Sequence, residues 1–302
     1  MNQAPTSTGS ASEPTPLHGH VVVGFDGSPG AERAVDLAAD EAVRRNTTLE
    51  VLYALEWVEL GGADDRFGQQ LRADARDVVD RGAERARLRR PGLSVLATVE
   101  LANAIDALEA ASDRAALLAV GSRGLGGFAG LLMGSVSLPV SATTRCPLLV
   151  VHPDQDTAGG DTPKPVLVGI SDVDCAPALE AAFLQAQARA LPLHALHAWR
   201  YPAMAAGSAG YAPAMYDWRE VAQTTLTAAL EPVRAKYPDV VVTEEVVIDS
   251  PAHALTKASS DAELVVLAAH RNTGRFGPNL GRVTHAVLHH AKAPILLVPV
   301  GK

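Results

Sequence analysis

Cysteine, aromatic side chains and long apolar runs are all scarce in this chain of 302 residues. Two cysteines, Cys146 and Cys175, give no disulfide framework, which fits a reducing compartment and makes the cytoplasm the expected location. Aromatics are 4% of the residues, so Ala, Val and Leu must fill the cores. Lys and Arg number 26 against 34 Asp and Glu, a net charge of −8. Without long basic runs this argues against a nucleic-acid partner, because affinity for a phosphate backbone comes from clustered basic side chains. The strongest apolar run, Ala115 to Val120, ends at Gly121. It falls far short of the roughly 20 residues that cross a bilayer, so no membrane span is expected. Residues 1–16 are rich in Ser, Thr, Pro and Ala and lack the basic start and apolar centre of a signal peptide. They read as a disordered tail.

What the chain does have is an internal repeat. Val21-Val22-Val23-Gly24-Phe25 recurs as Val166-Leu167-Val168-Gly169-Ile170. Ala34, Ala38, Ala42, Leu49 and Ala54 are matched by Ala178, Ala182, Ala186, Leu193 and Ala198, and Gly134, Val136, Pro147 and Leu149 by Gly281, Val283, Pro294 and Leu296. Matches that keep their order over so long a period mean duplicated whole domains, since solenoid repeats are several times shorter. The expected division is a first domain over residues 17–153, a linker over 154–164 containing Gly159-Gly160 and Pro163, and a second domain over 165–302.

Each copy alternates strand and helix. In the first, His20 to Phe25 is a short apolar run, and Ser28-Pro29 then places a capping hydroxyl before a proline at the first helical position. Ala31, Ala34, Val35, Ala38 and Ala42 recur at helical spacing up to Arg44. Further strands are expected at Leu49–Leu55, Leu93–Val99, Ala116–Val120 and Pro147–Val151, with helices at Phe67–Arg90, Ile105–Arg114 and from near Ser135. Strands apolar on both faces and separated by helices indicate a parallel sheet covered on both sides. The fold class is therefore α/β, two tandem doubly wound five-stranded parallel-sheet domains.

In such sheets ligands bind beyond the carboxyl ends of the strands, where the winding reverses. The loop after the fourth strand runs Gly121-Ser122-Arg123-Gly124-Leu125-Gly126-Gly127 and onward to Gly134-Ser135-Val136-Ser137. Gly121 and Gly124 can take positive φ and carry no Cβ, so backbone amides can close on a phosphate chain. Gly134-Ser135 opens a helix whose free amides favour an anion, Ser135 and Ser137 add hydroxyls, and Arg123 either pairs with phosphate or stays in solvent. Asp26, ending the first strand, accepts from a ribose, sits near a metal-bound phosphate, or forms an Asx turn in Asp26-Gly27-Ser28-Pro29.

Gly124-Leu125-Gly126-Gly127-Phe128-Ala129 also fits G-x-G-x-x-A, so a dinucleotide oxidoreductase is a rival. That fingerprint belongs after the first strand of its unit, with an acidic residue ending the next one; here it follows the fourth strand and the fifth ends in His152-Pro153. No G-x4-G-K-[ST] loop and no G-x-S-x-G elbow occurs. His285 and His289, four apart on the last helix, have the spacing of metal ligands, but no third ligand is evident and a solvated or helix-packing pair is the favoured reading.

Val23-Gly24-Phe25-Asp26-Gly27-Ser28-Pro29-Gly30 together with Gly121, Gly124, Gly134 and Ser135 in a G-x2-G-x9-G-S pattern resembles the universal stress protein family in its ATP-binding branch. The resemblance covers both copies. It implies a Rossmann-like, adenine nucleotide α-hydrolase-like sheet of order 3-2-1-4-5 and an adenine contact at Ala54. It also implies that Gly24 and Asp26 lie by the nucleotide, that Gly121 to Gly127 wrap the phosphates, and that Ser135, Val136 and Ser137 bind them from the helix start. ATP with Mg2+ is the implied cofactor. The two copies would pair through their fifth strands, Pro147 to Val151 against Pro294 to Val298, and a homodimer of whole chains is left open.

The second copy departs from the pattern. Ser171 stands where Asp26 does, and Ala268, Arg271 and Arg282 replace Gly121, Gly124 and Ser135, leaving Gly281. One intact and one weakened nucleotide site are expected. The second copy also carries a long link, Tyr201 to Tyr216, read as a surface loop. The expected function is an ATP-binding regulatory module of the stress response, not an enzyme, with slow hydrolysis or self-phosphorylation near Ser135 or Ser137 as the alternative.

Overall fold

The computed structural model describes residues 19–56, 66–125, 133–153, 163–171, 175–199, 218–274 and 277–300. The expected tail, most of the expected linker, the Tyr201 to Tyr216 link, and Gly126 and Gly127 lie outside these residues.

Apolar runs and capping residues translate directly into elements. The first half contains β1 (His20–Gly24), α1 (Pro29–Arg44), β2 (Leu49–Ala54), α2 (Arg66–Arg89), β3 (Val95–Glu100), α3 (Ala104–Ser112), β4 (Ala115–Gly121), α4 (Ser137–Thr143) and β5 (Leu148–Val151). The second contains β6 (Val166–Ile170), α5 (Ala176–Arg189), β7 (Leu193–Trp199), α6 (Trp218–Arg234), β8 (Val242–Ile248), α7 (Pro251–Ala258), β9 (Leu264–Ala269), β10 (Arg271–Gly274), β11 (Gly277–Leu280), α8 (Arg282–His290) and β12 (Ile295–Pro299). Ser28 caps α1, its Oγ accepting from Ala31 N at 3.2 Å, and Pro29 supplies the preset first helical φ. Asn103 and Ser250 cap α3 and α7 in the same way.

Ten strands form one sheet in the order β3-β2-β1-β4-β5-β12-β9-β6-β7-β8, so each half has the 3-2-1-4-5 order. Every neighbouring pair is parallel except β5 and β12, which run antiparallel with Ile295 opposite Val150 and Leu297 opposite Leu148. Side-chain alternation splits each strand between two cores. Val21 and Val23 join a core shared with α1, α2, α5 and α6, while Val22 joins one shared with α3, α4, α7 and α8. Each core runs through both halves of the chain. Burying a valine from either face contributes about 1.5 kcal/mol or more, which is why these strands read as unbroken apolar runs.

The second copy's counterpart of the glycine-rich loop is not a loop. Arg271–Gly274 and Gly277–Leu280 pair antiparallel, and β11 packs against α4 of the first half. With Arg271 in place of Gly124, this segment takes extended backbone and closes between Gly274 and Gly277.

Candidate functional site

The winding reverses between β1 and β4, and the carboxyl ends of β1, β2 and β4 open into a cavity of about 720 Å³. That is the size of a small-molecule site. Leu52 and Ala54 from β2, Ala104 and Leu108 from α3, and Val120 from β4 supply apolar walls. Gly24 belongs to this packing: a Cβ there would stand 3.0 Å from Leu108 Cδ2.

Asp26 organises the rim. Its Oδ1 accepts from Ser28 N at 2.9 Å, the Asx turn considered from the sequence, and its Oδ2 accepts from Leu125 N at 3.2 Å, tying the β1 turn to the β4 loop. A Cβ on Gly124 would collide with Asp26 Oδ2, so a side chain here would have to push that carboxylate out of its hydrogen bonds. Gly121 answers to a different constraint. Its Cβ would meet Gly30 C at 2.6 Å and Ala31 N at 2.8 Å, so it lets the start of α1 press against the end of β4. Neither Gly121 nor Gly124 takes a positive φ, contrary to the conformational role expected of them; the described positive-φ glycines are Gly19, Gly27 and Gly92. What both provide is the absence of a side chain.

Gly134 N donates to Ser122 O at 2.7 Å, and Ser137 Oγ, buried, donates to the same carbonyl at 2.7 Å. Ser137 therefore closes the loop on itself instead of offering its hydroxyl to a ligand. Ser135 is exposed, and the backbone N–H groups of Ser135 and Val136 find no acceptor among the described residues. They remain as donors at the start of α4.

Of the residues singled out in the sequence, Gly24, Asp26, Ala54, Gly121, Arg123, Gly124, Leu125, Gly134, Ser135, Val136 and Ser137 all line this one cavity. Ser122 does not: it is fully buried behind the loop, and its carbonyl serves as the anchor just described. Gly126 and Gly127 lie outside the described residues. Sequence reasoning missed Ser28, Leu108 and Met133, which line the cavity from separate elements, and it did not place His285 and His289 beside that cavity. His285 is exposed and its ring packs beside that of His289, as a solvated helix pair would, and α8 also brings both from the second half to the rim of the first half's cavity. Their rings lie 4.6 Å apart. Burial, then the neighbouring His285 and His290, hold His289 below the usual imidazole range. Among the described residues no group of three or more His, Cys, Asp or Glu side chains is gathered for a metal ion.

The sequence model described as "Universal stress protein family" matches residues 18–152 and again 162–299. A universal stress protein of Mycobacterium bovis is 32% identical over 309 residues, covering 95% of this chain and 98% of the relative. Another, of Mycobacterium tuberculosis, is 31% identical over 299 residues, covering 92% and 95%. Among solved structures, a universal stress protein from Archaeoglobus fulgidus superposes with a TM-score of 0.69 at 17% identity, over 93% of this chain and 99% of that one, a likeness of fold.

Proposed function

The chain belongs to the universal stress protein family, and on that premise we propose that its first half binds ATP as a regulatory module, acting through occupancy and not through turnover. One observation carries this reading. The cavity beyond β1, β2 and β4 combines apolar walls with two unused backbone N–H groups, those of Ser135 and Val136, at its α4 end. Apolar walls suit a base, and paired main-chain donors suit a phosphate. The residues present fit the nucleotide: Leu52, Ala54 and Val120 flank the base, Gly124 and Arg123 border the phosphate chain, and Ser135 adds a hydroxyl. Mg2+ would accompany the phosphates.

Asp26 is the one carboxylate among the described lining residues, and both of its oxygens already accept backbone N–H bonds. A carboxylate so engaged is poorly placed to activate water, which supports binding without appreciable hydrolysis. The second half, where Arg271, Arg282 and the β10–β11 hairpin replace the loop, is proposed to leave nucleotide to its sibling. We propose too that two whole chains pair as a homodimer and that the protein resides in the cytoplasm.

Isothermal titration with ATP and Mg2+ tests the reading. One site per chain is expected, lost in Gly124→Arg, which copies the residue of the second half. No binding, or two equal sites, would overturn it. Phosphate release, or label retained on Ser135, in proportion to protein during a single-turnover assay would instead establish an enzyme.

A further inference from the structure

The wall formed by His285 and His289 has no counterpart in the glycine and hydroxyl pattern of the first half. The two imidazoles come from the other copy, one turn apart on α8, and Nε2 of His289 is inaccessible to solvent and finds no hydrogen-bond partner among the described residues. A nitrogen that no water molecule reaches does not face the cavity as the ring stands; lacking a partner, it loses no hydrogen bond when the ring turns to present it to a ligand there. The surrounding charges favour an anion as that ligand. Arg282 and His290 share the helix, α7 carries Lys257 and a His253 already paired with Asp249 just before that helix, and β9 and α4 carry no titratable side chain. Arg123 and the fully engaged Asp26 line the same cavity. No carboxylate lies on α4, α7, α8 or β9 to neutralise a second imidazolium.

We propose that His285 and His289 complete the first half's site from the second half by donating hydrogen bonds to the phosphates of the bound nucleotide, so that the copy with the lost loop serves as its sibling's lid wall. The inference rests on the nucleotide reading above. An anion in the cavity favours the imidazolium, so nucleotide uptake and proton uptake are coupled, and phosphate-bearing ligand binds more tightly as pH falls through the imidazole range.

The test is titration of the full chain with ATP and with adenosine at about pH 8 and about pH 6. Wild type and His285→Gln/His289→Gln are compared. Relative to the double variant, wild type should gain about tenfold in ATP affinity on acidification, with adenosine unaffected. Identical pH dependence in wild type and double variant, or an equal gain for adenosine, would overturn this inference while leaving the nucleotide site standing. Failure of every protein to bind either ligand would overturn both.

Discussion

Arg189 of α5 sets its Nη2 2.6 Å from Oε1 of Glu41 on α1, an ion pair between the two halves with 10% and 3% of the side chains exposed. Gln185 Nε2 donates to the other carboxylate oxygen at 3.2 Å, and Arg44 and Arg45 approach from the next turn at 2.9 and 3.1 Å. Burial raises the proton affinity of Glu41, but the three guanidiniums outweigh it and hold the carboxyl below the usual carboxylate range.

Removing one member of this group should cost far more than removing the pair. Glu41→Leu strands Arg189 in the interface and is expected to lower stability by about 3 kcal/mol in urea unfolding. Glu41→Leu/Arg189→Met should recover most of that loss. If the double variant is as unstable as the single one, the pair is not the unit of stabilisation.

Acid sensitivity follows from the same carboxylate and from Asp40. Burial raises Asp40, yet hydrogen bonds from Arg89 and Arg90 hold it below its ordinary 3.8, as Glu41 is held below 4.5. Their stabilisation is present above those ordinary values and is lost as pH falls through the lower folded values, because the unfolded chain then binds more protons. Midpoints of urea unfolding should therefore fall steeply on acidification below about pH 4, and less steeply in Asp40→Asn.

Gly124 and Asp26 should behave as a coupled pair. Gly124→Ala drives a methyl into the Asp26 carboxylate and should both destabilise the loop and weaken ATP binding. Asp26→Ala removes the obstacle, so Gly124→Ala should cost much less in that background, with a coupling on the order of 1 kcal/mol. Additive effects in thermal melting would show that the two do not constrain each other.

Ser137→Ala removes the buried hydroxyl that donates to Ser122 O and receives Gly134 N at 3.1 Å. A loss of about 1–2 kcal/mol is expected, with weakened ATP affinity because Ser135 and Val136 are no longer held. An unchanged affinity would separate loop closure from binding.

Much of this arrangement was legible in the residues. Helix α1 was found from Ser28, Pro29 and its alanine spacing, and the duplicated strands from runs such as Val21 to Val23, because both signals are local. The cavity residues around Gly121 to Gly124 and Gly134 to Val136 were found because close backbone approach leaves glycines at fixed distances. The reason for those glycines was not legible: Gly121 is explained by Gly30 and Gly124 by Asp26, contacts that only the fold creates. The β10–β11 hairpin went unseen because a substituted loop motif reports what is lost and not what replaces it. The place of His285 and His289 beside the cavity went unseen for a similar reason, since nothing near them in sequence announces that a helix of one copy borders the chamber of the other.

The antiparallel seam of β5 with β12 has a further consequence. Were the halves two identical chains, every substitution on α8 would appear on both sides of the twofold, and a residue favourable to one chamber would be forced on its mirror image. Joining them in a single polypeptide removes that obligation, so one side is free to hold cargo while the other specialises as its neighbour's architecture.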